Sequence, residues 1–489
     1  MKTQSIKKNA LLNIVYTVTN IIFPLITFPY VSRILLADGM GKISFFTAIS
    51  SYAILVASLG ISTYGIRATA NARNDKKNLS KVTFELLIIN VVMSIVVIAG
   101  LIFLVPFVSK FREDKILLFI NCGLIFCTSC GMEWLYSGLE QYEYITKRSI
   151  LFKCISLVLV FIFVRNKSDF NIYALITVFA SSCAYIVNLV YSQKFVSFKL
   201  VKKFEFRKHI KPMLVLFASI MAVNIYTSLD TVMLGFISGD KEVGLYTVAV
   251  KIKGLLLSVV NAVSAVLLPR LSFYISENKK DEFNRLLKKS ISVILMMSLP
   301  LTIYFIIVAK DCIYILGGKD YIGATLCMQI IMPILLISSL SNITGNQILI
   351  PMGKDVLFMK AVVLGAITDI VLNVFMMPRL ASIGAAIATL VAECVQMFMQ
   401  LRYTFKHIKS NIDFSNIVKI ILSTTISSIS IVIVMHLLEY TAAINIYKSL
   451  LSVSGFAVLY FGVYLVILFT LREKYSTEIL EKVINMLKR

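Results

Sequence analysis

Apolar residues occur along this chain in runs of twenty or more, and short charged or Gly- and Pro-containing segments separate the runs. An apolar run of about 20 residues makes a helix long enough to cross the hydrocarbon core of a bilayer. We expect the tenth run to be broken, near Pro333 or between residues 338 and 345. Hydropathy predicts fourteen spans, with approximate limits 9–35, 40–65, 82–106, 115–138, 142–164, 170–194, 209–237, 242–270, 287–309, 320–350, 356–377, 380–404, 415–438 and 446–470.

The loops between the predicted spans alternate in charge. Residues 67–81 carry five basic residues and one acid, residues 194–211 carry seven and one, and residues 270–289 carry six and three. The intervening loops, such as 37–40 and 238–242, are short and poor in Lys and Arg. Basic loops stay in the cytoplasm, so the pattern predicts an even number of spans with both termini cytoplasmic.

Composition agrees with an all-α polytopic membrane protein. The 489 residues are 58% hydrophobic and 15% charged, whereas soluble domains are about 25% charged. The net charge of +23 does not indicate nucleic-acid binding, because the basic residues lie in short loops. We expect no nucleotide site, because no G-x-x-x-x-G-K sequence occurs, and no cofactor or metal, because Cys127-x-x-Cys130 lacks a second pair or a nearby His.

Eight of the charged residues within the predicted spans are candidates for the site. A charge that faces lipid costs about 2.5–3.5 kcal/mol or more, so we expect these residues to face a cavity or one another. Lys and Arg in a cavity favour an anionic ligand, and the acids are candidates for proton or sodium coupling or for internal pairing, for example of Asp230 with Lys251. The basic set is Arg33, Lys153, Lys251 and Lys253, and the acidic set is Asp230, Asp369, Glu393 and Glu133.

A weak internal repeat relates the two halves of the chain. The Gly-rich turn at Gly41 opens a helix that ends near Arg67, and about 200 residues later Gly244 opens a helix that ends near Arg270. Aligning the two glycines aligns the two arginines without a gap. Internal similarity in a chain this apolar is typical of transporters built from two repeated bundles.

Four stretches together resemble the Wzx-type polysaccharide-transport flippases, whose superfamily includes the multidrug extrusion antiporters and the lipid II flippase. The stretches are FPYVSRIL with GxG and YGIRATA in residues 28–70, EWLYSGLE with the following YI and KR in 133–148, LDTVMLG with VGLY in 229–252, and IGAAIAT in 383–393. The resemblance implies a transporter that is not an enzyme, with two six-helix lobes around a cavity that opens alternately to each side. The implied limits are 1–200 (spans 1–6), 201–405 (spans 7–12) and 406–489 (spans 13 and 14 with a cytoplasmic amphipathic tail).

The implied cargo is an undecaprenyl-pyrophosphate-linked oligosaccharide, moved from the inner to the outer leaflet of the bacterial plasma membrane for capsular polysaccharide, exopolysaccharide or O-antigen assembly. Membrane lipids and a polysaccharide polymerase are further candidate partners. The superfamily match favours Lys251 as the cavity residue of span 8. Lys253, about 200° away around the helix, is then expected to pair with an acid or to snorkel.

Three alternatives stay open. A cation-coupled multidrug antiporter needs acids, and span 1 contains no Asp or Glu. A flippase for lipid II or a teichoic-acid precursor would use the same cationic cavity. A non-transporting scaffold for polysaccharide enzymes would move no lipid-linked sugar in sealed vesicles. The sequence does not indicate which sugar is carried.

Overall fold

The computed structural model describes residues 6–477 apart from 198, 200, 202, 443 and 444. The side chains of residues 6–14, 16, 17, 20, 21, 218–220, 222–227 and 263 are also outside the description. Every regular element in the described part is helical. The predicted all-α class is therefore confirmed.

Contacts between Cα atoms divide the chain into two compact units, Met1–Gly244 and Leu245–Arg489. The lobe limits at residues 200 and 405 follow from span numbering and stay a prediction. The helices that lie in the first unit are α1 (Ile6–Ser58), α2 (Ile61–Ala72), α3 (Lys76–Leu104), α4 (Ser109–Glu113), α5 (Lys115–Cys130), α6 (Glu133–Gly138), α7 (Tyr142–Phe163), α8 (Phe170–Ser192) and α9 (Arg207–Ile237).

Helix α10 begins at the end of the first unit and continues into the second. A 3₁₀ turn at Lys319–Tyr321 follows α12, and a π-helical segment at Ile343–Leu349 follows α14. The helices are α10 (Asp240–Ser276), α11 (Lys280–Ile307), α12 (Ala309–Gly317), α13 (Ala324–Ile331), α14 (Pro333–Asn342), α15 (Asp355–Asn411), α16 (Phe414–Leu437) and α17 (Ile446–Thr470).

Ten helical segments among the described residues are long and apolar enough to cross a membrane. Large apolar side chains on their outer faces are open to the surroundings, for example Val96 (57% exposed) on α3 and Val458 (77% exposed) on α17. Apolar helices with apolar outer faces suit hydrocarbon and not water. The chain is therefore a multi-pass membrane protein.

Two of these ten segments contain a break in the helical backbone. Leu36 (φ 60°) divides α1, and Ala381 (φ 47°) divides α15. Each break therefore separates two potential spans. Helices α7 and α9, of 22 and 31 residues, are also long enough to cross a bilayer. The ten segments, the two extra spans that the breaks create, and α7 and α9 together make fourteen spans. This number agrees with the predicted one and stays a prediction.

At the predicted break in the tenth span the hydrogen-bond ladder is interrupted, but the backbone stays helical through Met332 (φ −57°, ψ −41°). Helix α13 ends at Ile331, and Pro333 starts α14, because proline has no N–H to continue the helical ladder. The π-helical segment Ile343–Leu349 follows, overlapping the second predicted break region. Segments of π-helix often mark functional sites or points of bending.

The basic stretch 270–289, predicted as a loop, is mostly helical. Helix α10 continues to Ser276 and α11 begins at Lys280, with Asn278 in a left-handed turn (φ 55°) between them. The two spanning helices simply extend beyond the apolar region. Of the predicted amphipathic tail, residues 478–489 lie outside the described part.

Candidate functional site

The two equivalent glycines of the internal repeat contact each other's turns reciprocally. A Cβ on Gly41 would overlap the carbonyl oxygen of Asp240, and a Cβ on Gly244 would overlap that of Ala37. Asp240 and Ala37 are themselves equivalent in the repeat, as are Gly239 (φ 91°) and Leu36 (φ 60°). The same backbone turn is therefore built twice and packed against itself.

Two ion pairs surround this glycine contact. Lys42 Nζ lies 2.9 Å from Asp114 Oδ1, and Lys110 Nζ lies 2.5 Å from Asp240 Oδ1. Lys110 also donates to the carbonyl of Gly235 at 2.6 Å. These cations are engaged by the fold, so we do not assign them to a ligand.

A cavity of about 200 Å³ lies inside the first unit, between α6, α7 and α8. Small residues on α8 make room for the cavity, and Arg148, Lys153 and Glu133 border it. Its lining residues are Glu133, Arg148, Ser149, Phe152, Lys153, Ala180, Ser181, Ala184 and Tyr185. It contains two of the predicted site residues, Lys153 and Glu133.

Arg148 is the fixed cation of this cavity. Its side chain is 6% exposed, and Nη2 lies 3.1 Å from Glu133 Oε1. Nη1 donates to the side-chain oxygen of Asn188, whose amide donates to the Gly131 carbonyl at 2.6 Å. The guanidinium also lies 5.8 Å from the centre of the Tyr144 ring. Glu133 is thus paired inside the unit, as our alternative for the acids predicted.

Lys153 lies on the same helix as Arg148, about 7.5 Å further along its axis. Its side chain is half-buried, and Nζ lies 6.0 Å from the centre of the Phe23 ring on α1. The partly buried ammonium group of Lys153 is chemically suited to bind an anion that enters this cavity.

Arg33 does not lie at the depth of Lys153. Helix α1 runs parallel to α7, since Phe23 meets Lys153 while Tyr30 donates to the carbonyl of Val164 at 3.0 Å. Arg33 is ten residues beyond Phe23, about 15 Å along the axis. Its Nη1 donates to the Pro29 carbonyl at 2.6 Å. Arg33 and Lys153 therefore lie at different depths of the first unit.

The arginines of the repeat motif lie on the surface of their own units. Arg67 is exposed on α2, a short helix that a bend at Leu59 and Gly60 separates from the preceding span. Arg270 is exposed near the end of α10 and borders a separate cleft. Neither arginine lies in the cavity that Arg148 and Lys153 border.

Lys251 and Lys253 are both half-buried on α10. The start of this helix is tied to α15, because the hydroxyl of Tyr246 lies 3.0 Å from that of Thr389. Lys251 follows Tyr246 by about 7.5 Å along the helix axis. The sequence predicts that Lys251 binds a ligand and that Lys253 pairs with an acid or snorkels along a groove. Both statements stay predictions.

The two halves of α15 form an antiparallel hairpin about Ala381. A Cβ on Gly365 would lie 3.1 Å from that of Gln396 and 3.2 Å from the Ala392 carbonyl oxygen. Nearer the turn, a Cβ on Gly384 would lie 2.6 Å from the Met376 carbonyl oxygen. These two close approaches fix the register of the hairpin.

This register brings two predicted acids within about one helical turn of each other along the hairpin. Asp369 follows Gly365 by one turn and is 1% exposed, while Glu393 is adjacent to Ala392 and 8% exposed. Thr389, one turn before Glu393, is also buried. Two carboxyl groups among hydroxyls in one helical hairpin are chemically suited to hold a proton or a small cation. Asp230, the third acid, is 4% exposed on α9 in the first unit.

Sequence reasoning missed a second buried polar cluster in the first unit. Glu85 (0% exposed) accepts from the backbone N–H of Glu205 at 2.5 Å and lies 2.8 Å from His209 Nε2. The other ring nitrogen of His209 lies 2.8 Å from the Tyr64 hydroxyl. The cluster joins α2, α3 and α9. The only signal in the sequence was an acid early in an apolar run.

Comparisons with known proteins agree with this architecture. Residues 6–275 match the family model described as "Polysaccharide biosynthesis protein", and residues 216–375 match the model described as "MatE". The chain is 24% identical over 401 residues to the "Putative O-antigen transporter" of Escherichia coli (strain K12), covering 82% of this chain and 96% of that protein.

Two solved structures share the fold. The structure titled "Lipid II flippase MurJ, inward closed conformation" matches with a TM-score of 0.73 at 16% identity, covering 94% of this chain and 99% of that one. An inward-facing multidrug resistance MATE family transporter of the MOP superfamily matches with a TM-score of 0.61 at 14% identity, covering 79% and 95%. The helical architecture, the repeated turn and the family match over more than half of the sequence lead to one conclusion: this chain is a member of the polysaccharide biosynthesis protein family, with the fold of the MOP-superfamily transporters.

Proposed function

We propose that this protein is a flippase that moves undecaprenyl-pyrophosphate-linked oligosaccharide units from the inner to the outer leaflet of the bacterial plasma membrane. The observation that carries the proposal is the family match over residues 6–275, in which the half-buried cations Arg33, Lys153 and Lys251 lie within apolar helices. The printed name of the Escherichia coli relative supports a sugar cargo. The exported units would serve capsular polysaccharide, exopolysaccharide or O-antigen assembly, and their polymerase is a candidate partner.

The cargo explains why an apolar protein keeps these cations. A pyrophosphate lipid carries about two negative charges, and it must cross a region where an unpaired charge is costly. Lys251 would contribute a point charge, and the guanidinium group of Arg33 would donate hydrogen bonds to two phosphate oxygens. Alternating access would then arise because the cargo binds one arrangement of the helices more tightly than the other.

The orientation in the membrane follows the loop charges. We infer that both termini are cytoplasmic and that the basic stretch 270–289 is cytoplasmic as well. The loop at residues 238–242, beside the reciprocal glycine contact, then lies outside. Cargo would enter from the basic side and leave on the side of the glycine contact.

Ion coupling is a second element of the proposal. Asp369 and Glu393 lie within about one helical turn of each other along the α15 hairpin and are almost fully buried. Carboxyl groups buried within spanning helices mark proton or sodium pathways in transporters. We infer that a proton or sodium ion binds this hairpin during the transport cycle.

A multidrug antiporter is the alternative favoured by a specific observation. Residues 216–375 match the MatE family model, and this range contains Asp230 and Asp369. An antiporter of that kind would export cationic drugs, whereas a flippase would complement polymer export. Assays of drug export and of polymer export therefore distinguish an antiporter from a flippase.

Substitution of Lys251 tests the proposal in cells. Lys251→Ala removes the charge that would bind the pyrophosphate, so we expect export of polymer to be lost while the protein still inserts. Lys251→Arg keeps a cation and should retain part of the activity, and Lys253→Ala should be milder. The measurement is complementation of polymer export in a strain that lacks the gene, with membrane levels followed by blotting.

Lys280→Ala is the matched control, because Lys280 is an exposed lysine at the start of α11. Its export should equal that of the unmodified protein. Full export by Lys251→Ala would remove Lys251 from the site. Full export by an Arg33→Ala/Lys251→Ala double variant would contradict the proposal that cations within the spans bind the pyrophosphate of the cargo.

A further inference from the structure

A second cleft, of about 530 Å³, lies in the second unit at the end of its helices. It is formed by the last turns of α10, the first turns of α11 and the residues that follow α17. The residues that line it are Leu267, Arg270, Tyr274, Glu282, Arg285, Leu286, Lys289, Lys474 and Tyr475. Its volume is within the range of about 300–1,000 Å³ that is usual for ligand sites.

Cations outnumber acids in this lining. Four of the nine lining residues are Arg or Lys, and Glu282 is the one acid among them. Glu282, Arg285 and Lys289 follow one another at spacings of three and four, so they share one face of α11. Arg270 is four residues before Tyr274, which places these two side chains on one face of α10.

The segment after α17 is held in place at the edge of the cleft. The buried carboxylate of Glu473 accepts from the backbone N–H groups of Tyr475 at 2.9 Å and Ser476 at 2.6 Å. Tyr475 is 5% exposed, and Lys289 Nζ lies 5.8 Å from the centre of its ring. Lys474 Nζ lies 5.9 Å from the same ring centre. Lys289 on α11 and Lys474 on the segment after α17 therefore both lie near one aromatic ring.

The fold itself does not require charge at this place. Extending the repeat alignment of Gly41 with Gly244 puts Leu79, Val82 and Leu86 of α3 opposite Glu282, Arg285 and Lys289 of α11. The three α3 residues are 1%, 6% and 0% exposed and belong to an apolar core. The same helix face is thus closed and apolar in one unit, and open and cationic in the other.

We propose that this cleft binds the phosphate group of a lipid headgroup at the membrane surface. Arginine forks bind phosphate oxygens in pairs, and lysines add point charge. The apolar Leu267 and Leu286 in the lining suit the glycerol or acyl end of a lipid. The headgroup belongs either to an anionic phospholipid or to the pyrophosphate-linked cargo before transport, and only the second source rests on the proposed function.

The test measures lipid binding to the purified full-length protein in neutral detergent, by native mass spectrometry. The probes are phosphatidylglycerol, undecaprenyl diphosphate and phosphate-free diacylglycerol. The variant Arg285→Gln/Lys289→Gln removes two cations of the cleft. Its matched control, Lys279→Gln/Lys280→Gln, removes two exposed cations from the adjoining turn that do not line the cleft.

We expect the cleft variant to bind at least one of the two phosphate lipids about tenfold more weakly or worse, and the control variant less than about twofold more weakly. Loss confined to phosphatidylglycerol identifies a phospholipid site, and loss confined to undecaprenyl diphosphate identifies a cargo site. If the double variant does not fold, Arg285→Gln alone is compared with Lys279→Gln.

Equal effects of the cleft and control variants would overturn the proposal, because they would show only diffuse attraction to a basic surface. Failure of the unmodified protein to bind either phosphate lipid in preference to diacylglycerol would also overturn it. Because binding and not export is measured, neither result bears on whether the protein is a flippase.

Discussion

Arg148 shows how this chain keeps a cation inside an apolar helix bundle. Glu133 neutralises it from α6, Asn188 accepts from it on α8, and the Tyr144 ring lies beside it. A buried ion pair contributes little net stability over apolar packing, but loss of one partner leaves a charge without its counter-ion. Arg148 therefore fixes the wall of the cavity beside Lys153.

We predict that Arg148→Gln lowers the unfolding free energy by about 1–2 kcal/mol, since it leaves Glu133, whose side chain is 38% exposed, without its cation and Asn188 without its donor. The double variant Glu133→Gln/Arg148→Gln should recover part of this loss. The measurement is thermal unfolding in detergent of both variants, of Glu133→Gln and of the unmodified protein. A double variant as unstable as the sum of the single variants would show that the two side chains are not coupled.

At the residue scale, the sequence was most informative where a charge interrupts an apolar run. That rule found Lys153, Lys251 and the acids of α15, because a charge within hydrocarbon is costly whatever its partners are. It missed Arg148, although this residue lies inside the predicted span 142–164. It placed Arg33 near the outer end of its span, but the offset of Arg33 from Lys153 could not be predicted, because it depends on how α1 packs along α7.

The broken helices α1 and α15 are the elements that organise the two units. Each is a pair of helices joined at one residue of positive φ, Leu36 or Ala381. Positive φ is strained for residues with a Cβ, and such strain persists where the surrounding structure enforces it. In α15 the strained turn holds Asp369 and Glu393 within about one helical turn of each other along the hairpin.

We predict that Ala381→Gly stabilises the protein by about 1 kcal/mol or more, since glycine adopts this conformation without the clash of a Cβ. Ala381→Val should destabilise it. Ala386→Gly, in the helical interior of the same hairpin, is the matched control and should lower stability by about 1 kcal/mol. Thermal unfolding of the three variants checks this, and a lower stability for Ala381→Gly would contradict the strain at residue 381.

At the element scale, the sequence predicted breaks where their chemistry is local. Pro333 is the example, because a missing N–H needs no distant partner. The predicted turn in the Gly-rich stretch before Gly41 is displaced: the residue of positive φ is Leu36, and Gly41 instead allows close packing on the carbonyl of Asp240. The sequence did not predict that α10 and α11 extend beyond the apolar region. Hydropathy marks where a helix is apolar, and it does not mark where the helical backbone ends. The separate helix α2 was missed because its bend at Gly60 is set by packing against α9.

At the scale of the whole molecule, the sequence predicted a multi-pass helical transporter, and the fold and the family match confirm that class. Hydropathy and motifs carry this information because the bilayer restricts spanning elements so strongly. The boundary between compact units at Gly244 could not be predicted, since it depends on long-range contacts of α9 and the start of α10.

The orientation of the whole chain is tested by single-cysteine labelling. Lys203 lies in a basic loop that we place in the cytoplasm, and Lys241 lies beside a turn that we place outside. On a Cys-free background, an impermeant maleimide applied to intact cells should label Lys241→Cys but not Lys203→Cys. Labelling of residue 203 from outside would contradict the topology.

The energy for transport follows from the charge of the proposed cargo. Moving one charge through 100 mV is worth about 2.3 kcal/mol, so a headgroup with about two negative charges would gain about 4–5 kcal/mol on leaving a negative cytoplasm. The membrane potential alone is therefore sufficient to drive export. An ion bound at Asp369 and Glu393 would add to it.

The most direct test of the flippase proposal is the movement of a pyrophosphate-linked oligosaccharide lipid between leaflets of sealed vesicles containing the purified protein. We predict that the protein speeds this movement above that in protein-free vesicles, that a potential positive on the receiving side speeds it further, and that Lys251→Ala abolishes the gain. If collapsing the potential while ion gradients are kept leaves the rate unchanged, the drive is ionic. If the folded protein moves the lipid no faster than protein-free vesicles do, the account of this chain as a flippase is contradicted.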